Sequence, residues 1–339
     1  MTAFLISVIL PVHNVSEYLR QCLNSVIAQD YNNLEIICVD DASTDDSLLI
    51  LQEYANKDSR IKVVKNNSRL GPGFSRNKGL KLAKGDYIHF LDPDDWLEES
   101  AYSRLLIKLK ELPEVPDLLY FNYKKFDNIE KTFTPFVFKN KSIIDKVLNP
   151  KVDIEAFDNW DRYAWVKLHK REFLLKENIY YNDYPTMEDM EQAALAYIKA
   201  KSICYVDEYI LNYRINRAGS LVTKASSNIK YILKSCLNNK NLYRNLNHML
   251  KYRLLAFDYI QLPANTEFAY KNNDINWIEL LCIVLKSFSF DFGKYDFIEK
   301  PYPGCNYRLN FIKICLKTSN KELFDTLVRF KKKLKSFFS

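Results

Sequence analysis

Along the first 125 residues, short apolar blocks alternate with stretches whose apolar positions recur at helical spacing. Residues 4–10 form a short, largely apolar run closed by Pro11, the pattern of a buried strand. Leu19, Cys22, Leu23, Val26 and Ile27 then repeat at helical intervals behind Ser16, a residue suited to an N-cap. A second run, 34–39, ends at Asp40-Asp41, and Ser43 with Asp46 offers a capping box for a helix through Tyr54. Residues 61–64 read as a third strand. Gly71-Pro72-Gly73 opens a loop into a helix that ends near Gly85. The run 87–91 reads as a fourth strand, followed by a helix over 98–112 and a strand over 118–123. Strands separated by helices in this way predict a mainly parallel sheet flanked by helices, a three-layer α/β domain.

From residue 126 the rhythm loosens. Residues 133–138 suit a strand, 143–148 a helix, and 160–177 are partly helical. The segment 188–200 has helical propensity, and 202–205 and 209–213 read as two further strands. Ser, Asn and Lys collect between 223 and 228, and the pattern beyond is helical and polar-aromatic. The division that follows is a domain over 1–225 and a helical C-terminal extension over 226–339. That extension is available for acceptor, membrane or oligomer contacts.

Composition changes this picture little: of 339 residues, 47% are hydrophobic and 27% charged, as in a soluble globular protein. The net charge of +7 is uneven, because the stretch from Arg329 to Phe338 interleaves Lys and Arg with aromatics. It suits an anionic membrane surface, and equally a solvated helix end. Nothing else resembles a nucleic-acid motif. The seven cysteines (22, 38, 204, 236, 282, 305, 315) form no C-x-x-C pair and read as reduced thiols of a cytosolic protein. No signal peptide and no apolar run of about 18 residues is visible, so the expected location is the cytoplasm, with peripheral binding to the inner face of the membrane.

Several chemistries are excluded by what is absent. The turn after the first strand is Pro11-Val12-His13-Asn14, without the glycines of a dinucleotide fold or a phosphate loop. The histidines (13, 89, 169, 248) lack zinc spacing, and no G-x-S-x-G elbow occurs. What is present gathers at strand ends: Pro11, His13, Asn14 and Glu17 after the first, Asp40 and Asp41 after the second, Asp92, Asp94 and Asp95 after the fourth. If these strands are parallel, all three groups border one cleft. An Asp-x-Asp pair there can hold a hard divalent cation against a diphosphate, while an acid and a flat ring can meet a nucleobase.

At this point the chain is similar to a known family. The segments Val8-Ile9-Leu10-Pro11-Val12-His13-Asn14, Glu35-Ile36-Ile37-Cys38-Val39-Asp40-Asp41-Ala42-Ser43-Thr44-Asp45, Arg76-Asn77-Lys78-Gly79 and Gly85-Asp86-Tyr87-Ile88-His89-Phe90-Leu91-Asp92-Pro93-Asp94-Asp95 resemble, in this order, family 2 glycosyltransferases of GT-A fold, in particular bacterial enzymes of lipooligosaccharide, capsule or O-antigen synthesis. The resemblance implies that Asp41 pairs with the nucleotide base, with His13 beside it. It implies that Asp94, with Asp92, binds Mn²⁺ or Mg²⁺. It places the catalytic base at Asp189, next to Glu188, in Met187-Glu188-Asp189-Met190. Trp165-Val166-Lys167-Leu168 and Tyr213-Arg214-x-x-Arg217-x-Gly219-Ser220 match segments lining the donor and acceptor sites. Pro93 stands where Ala or Ser is frequent; both acids of the motif remain.

The implied activity is metal-dependent, inverting transfer of a sugar from a UDP-sugar to a hydroxyl of a glycan or lipid-linked glycan acceptor. A polyprenyl-phosphate sugar synthase is an alternative, and its phosphate acceptor needs no strong base. So is a nucleotide- or glycan-binding protein without activity. Each residue also has a plainer reading. Glu188 and Asp189 favour a helix N-terminus in any case. Arg214, Arg217 and Lys167 serve equally as diphosphate ligands or surface charges. Arg76 and Asn77 either line the nucleotide pocket or cap their helix. Asp40 is expected to accept backbone hydrogen bonds, and Trp160 and Trp165 belong either to the core or to an acceptor platform. Oligomerisation stays open.

Overall fold

The computed structural model describes residues 4–184 and 187–217, together with 231, 234, 235, 238, 239, 241–246 and 254. The alternation of the first half is present as β1 (Ile6–Val12), α1 (Ser16–Ile27), β2 (Leu34–Asp40), α2 (Ser47–Lys57), β3 (Ile61–Lys65), α3 (Pro72–Leu82) and β4 (Tyr87–Phe90). There follow β5 (Trp96–Leu97), α4 (Ala101–Glu111), β6 (Leu118–Asp127), β7 (Phe133–Pro135), β8 (Val147–Leu148), β9 (Lys167–Lys170), α5 (Arg171–Lys176), α6 (Asp189–Lys199) and β10 (Ile203–Ile215). These elements fall in one compact unit; described positions 231, 234, 235, 238, 239 and 254 fall in a second.

The strands named join one sheet in the order β3-β2-β1-β4-β9-β6-β10-β5, with β7 on β6 and β8 on β10. β1 pairs in parallel with β2 and β4, β2 with β3, and β6 with β10; β9 is antiparallel between β4 and β6. The sheet is thus mixed but mostly parallel and flanked by helices. Every residue of β1 is buried, as a central parallel strand requires. At the edge, β3 shows exposed Lys62 and Lys65, which discourage further pairing.

One topological fact positions the site. From β1 the chain steps outward to β2 and β3, then returns to the other side of β1 to form β4. The connections leaving β1 and β4 therefore diverge, and a crevice opens beyond their carboxyl ends. Helix α3, which bridges that return, lies directly on β1: a Cβ at Gly79 would stand 2.4 Å from Cγ2 of Ile9. The helix starts at Gly71, whose φ of 92° suits glycine, with Pro72 at the first helical position.

Several local expectations are corrected. β1 runs through Pro11 to Val12, because β4 pairs with it only as far as Ile9↔Phe90 and no ladder bond is lost on that side. Ser16 is the first helical residue of α1, with Val15 at the cap. The amides there are met across the cleft: Ser47 Oγ accepts from Val15 N and the Asp45 carboxylate from Ser16 N, both at 3.0 Å. The Ser43–Asp46 capping box does not form, since the Ser43 hydroxyl instead accepts from Asn14 N at 3.2 Å. α3 stops at Leu82, short of Gly85, and α4 begins at Ala101 after β5. Residues 143–148 are not helical: a 3₁₀ turn over Lys141–Ile143 leads into β8, which gains a partner in β10. The two strands over 202–213 are one, β10, with an irregularity between Val206 and Tyr209 that accommodates Asp207 and Glu208.

Cys22, Cys38 and Cys204 are free and buried. The boundary at 223–228, the remaining cysteines and the basic stretch 329–338 lie outside the described residues. Among the described residues no helix is long and apolar enough to cross a membrane.

Candidate active site

The loop that leaves β4 folds back on itself, with Asp95 N donating to Asp92 O at 3.1 Å. This turn gathers three acids, and one carboxylate oxygen from each of Asp92, Asp94 and Asp95 lies within 4.8 Å of the others. Asp95 is 1% exposed; its Oδ1 accepts from Arg214 N at 2.8 Å, while its Oδ2 is buried and has no partner. Burial, reinforced by Asp94 and Asp92, pushes the Asp95 carboxyl well above the usual carboxylate range. Burial also raises Asp94, against the pull of Arg217, which pairs with its Oδ2. An orphaned buried oxygen beside two other carboxylates, each of which keeps an oxygen beyond its pairing with Arg76 or Arg217, is a hard-oxygen donor set that fits a divalent cation. Asp95 joins Asp92 and Asp94 in that set. It lay in the same acidic run, but adjacency alone did not reveal that it turns inward.

Arg214 and Arg217 fix this loop. Arg214 donates from Nε to Asp94 O at 2.9 Å, from Nη1 to Asn128 at 3.0 Å and from Nη2 to Gln21 at 2.6 Å. Its guanidinium lies over the rings of Trp96, Tyr18 and Phe126, 4.7, 4.8 and 5.4 Å from their centroids. It is neither a surface charge nor turned toward open space. Gly219 and Ser220 lie outside the described residues.

Beyond β1 and β2 the two connecting loops are stitched together. Asn14, in left-handed backbone at φ 50°, accepts from Thr44 N at 2.8 Å, and His13 Nδ1 donates to Asp41 O at 2.8 Å. Pro11 is buried within β1, and Glu17 is exposed in the first turn of α1. Asp41 is buried; its carboxylate accepts from Asn66 Nδ2, Leu70 N and Gly71 N, each at 2.8 Å, and so anchors the loop before α3. Asp40 accepts weakly from Ser43 N, as expected of a turn acid.

The third group reaches the same crevice through α3. Arg76, 5% exposed, donates to Asp92 Oδ1 at 2.7 Å and to Glu188 Oε1, and lies 5.2 Å from the centroid of the Tyr181 ring. One guanidinium thereby ties the acidic turn after β4 to the start of α6, where Glu188 lies 112 residues beyond Arg76 in sequence. Neighbouring Asn77 holds Tyr181 by backbone bonds in both directions, at 2.8 and 2.9 Å. Met187, at φ 59°, turns the chain into Glu188 and Asp189. Burial raises the Asp189 carboxyl to about 7; Glu188 adds to the shift, and Arg76 and Arg162 oppose it. A carboxyl that titrates near neutrality is suited to accept a proton.

Lys167 is neither a surface charge nor a cleft ligand. It is fully buried, its Nζ donates to Tyr163 O at 2.6 Å, and burial lowers it to about 8 against the effects of Asp161 and Asp189. Trp160 and Trp165 are 5% and 3% exposed, so both belong to the interior. His89 and His169 are also buried, and His89 bridges Tyr102 and Trp165 O. Tyr163 and Tyr181, which frame the Asp189 region, carried no sequence signal beyond being aromatic.

Residues 7–171 match the model of the glycosyl transferase family 2 domain. The chain is 31% identical over 263 residues to Glycosyltransferase GlyA of Streptococcus pneumoniae, covering 74% of this chain and 36% of that protein. It is 40% identical over 129 residues to the UDP-Glc:alpha-D-GlcNAc-diphosphoundecaprenol beta-1,3-glucosyltransferase WfaP of Escherichia coli, covering 38% of this chain and 48% of that one. It thus spans about a third to a half of the length of these relatives. The fold superposes on S. aureus TarS 1–349 in complex with UDP-GlcNAc with a TM-score of 0.64, at 21% identity, over 83% of this chain and 81% of TarS 1–349.

Proposed function

Residues 7–171 belong to glycosyl transferase family 2, and from that premise we propose that the protein transfers a sugar from a UDP-sugar to a hydroxyl of a glycan acceptor, with inversion, in the synthesis of a bacterial surface polysaccharide. The observation that carries this reading is the Arg76 bridge, which joins the three-carboxylate cluster after β4 to Glu188, the neighbour of the near-neutral carboxyl of Asp189. TarS was solved with UDP-GlcNAc, and the WfaP name specifies a UDP-sugar donor and a lipid-diphosphate-linked acceptor. The same classes of donor and acceptor are proposed for this chain. The cytoplasmic face of a membrane is the proposed place of action, with residues 329–338 its contact. The domain division at 225 is likewise proposed.

Asp92, Asp94 and Asp95 would hold Mn²⁺ or Mg²⁺, which when bound supplies a Lewis acid for the departing diphosphate. Asp41 and His13 bound the base end of the cleft, and Arg217 holds Asp94 in place. Asp189 accepts the proton of the acceptor hydroxyl as its oxygen attacks the anomeric carbon. Attack from the face opposite the diphosphate inverts that carbon. Glu188, pinned by Arg76, positions Asp189 and keeps its carboxyl basic.

A panel of UDP-sugars incubated with the protein in Mn²⁺ or in EDTA, read by UDP release and product mass spectrometry, tests the proposal. Turnover in Mn²⁺ that EDTA abolishes is expected, and Asp94→Ala should lower it at least ~100-fold. Turnover insensitive to both would remove the metal from the account.

A further inference from the structure

Tyr163 differs from the other rings around it. It is 39% exposed, while Trp165 and Tyr123 beneath it are 3% and 2% exposed. Its ring lies flat on the Trp165 indole, with centroids 4.9 Å apart and planes 7° apart. Tyr213 also stacks on Trp165, at 4.8 Å and 30°, and Tyr123 meets Trp165 edge-on at 4.8 Å. The Tyr163 and Tyr213 centroids are 6.0 Å apart. Offset-stacked rings on opposite faces of an indole would still be separated by roughly 7 Å or more, twice the spacing of the planes, so both tyrosines share one side. With one face of its ring on Trp165, Tyr163 keeps its 39% exposure on a buried foundation.

The rim of that face is polar. Asp161 and Asp189 both act on the Tyr163 hydroxyl, which burial and these two carboxylates push up to about 12, while Arg162 opposes them. Below it, Lys167 Nζ holds the Tyr163 carbonyl at 2.6 Å and fixes the backbone that carries the ring. A flat, preorganised apolar face bordered by carboxylates suits the C–H face of a pyranose, whose hydroxyls lie around its edge and can donate to them. Asp189 acts on the same tyrosine, and because the base must touch the acceptor hydroxyl, the sugar assigned to this face is the acceptor's.

We propose that the exposed face of Tyr163, rimmed by Asp161 and Asp189, is the subsite that stacks the terminal pyranose of the acceptor. This rests on the transferase reading and deepens it, naming the ring that presents the acceptor hydroxyl to the base. Tyr163 is in this account a binding residue with no part in proton transfer, and its ring, not its hydroxyl, carries the effect.

The test uses the full chain with UDP and Mn²⁺, and methyl glucoside, methyl galactoside and methyl N-acetylglucosaminide as ligands in saturation-transfer NMR. At least one glycoside is expected to receive saturation, strongest on the C–H protons of one face. Tyr163→Ala should reduce it at least ~5-fold, and Tyr163→Phe should retain it. UDP affinity, measured by calorimetry, should be the same in all three proteins, which also reports that the variants fold. Equal saturation in Tyr163→Ala, or no saturated glycoside in a wild type that binds UDP, overturns the subsite. Loss of UDP binding in the wild type itself would overturn instead the transferase reading on which the subsite depends.

Discussion

Asp189 concentrates the chemistry of the account in one carboxyl. With its folded pKa raised to about 7, it is protonated in acid and must ionise before it can act as a base. Turnover at low substrate should therefore rise about tenfold per pH unit below about 7 and level off above it. The same shift sets a stability sign. An Asp with a raised folded pKa contributes most below its unfolded value of about 3.9, and that contribution is lost as pH rises toward about 7. Asp189→Asn, an analogue of the protonated form, should thus gain on the order of 1–3 kcal/mol over wild type at pH 8 and almost nothing near pH 3.5, measured by chemical denaturation. A variant less stable than wild type at pH 8 would refute the burial that raises this group. At this scale the sequence was partly legible. The acids at 92, 94 and 189 stand in recognisable runs, whereas the inward turn of Asp95 and the burial of Lys167 depend on packing that no local pattern encodes.

The helix α3 shows how one element places two functional ends. Its start hangs on Asp41, through Leu70 N and Gly71 N, and its middle presses on β1 at Gly79. Asp41→Ala removes the acceptor of three N–H groups, two of them on the buried residues Asn66 and Gly71, and should cost about 1–3 kcal/mol, with faster hydrogen exchange at Leu70 and Gly71 than at residues within β1. Unchanged exchange there would mean the loop is held by something else. Gly79→Ala forces a methyl into Ile9 and should cost about 1–3 kcal/mol, read as a shifted denaturation midpoint. The βα alternation that builds this element was readable from apolar spacing. The capping of α2 was not, because the Ser43 and Ser47 hydroxyls serve the neighbouring loop and α1, while the Asp45 carboxylate accepts from both Ser16 N and Ser47 N. β8 escaped for a related reason: a two-residue strand owes its existence to a partner edge, not to its own residues.

Across the whole molecule, the reversal of strand order at β1 opens the crevice, and Arg76 closes a circuit over it between β4 and α6. Arg76→Ala leaves two carboxylates facing a buried gap and should cost about 3–5 kcal/mol while also weakening turnover. Neither the strand order nor that circuit is visible in the chain, since both join segments far apart in sequence. What the residues did announce was the company the acids keep at the ends of β1, β2 and β4. The most direct measurement of the central claim is therefore made on Asp189→Asn, with UDP affinity in Mn²⁺ and sugar transfer read on the same preparation. UDP affinity within about twofold of wild type and transfer reduced by about 10²–10⁴-fold are expected. Transfer at the wild-type rate would contradict the claim and move the proton acceptor away from α6.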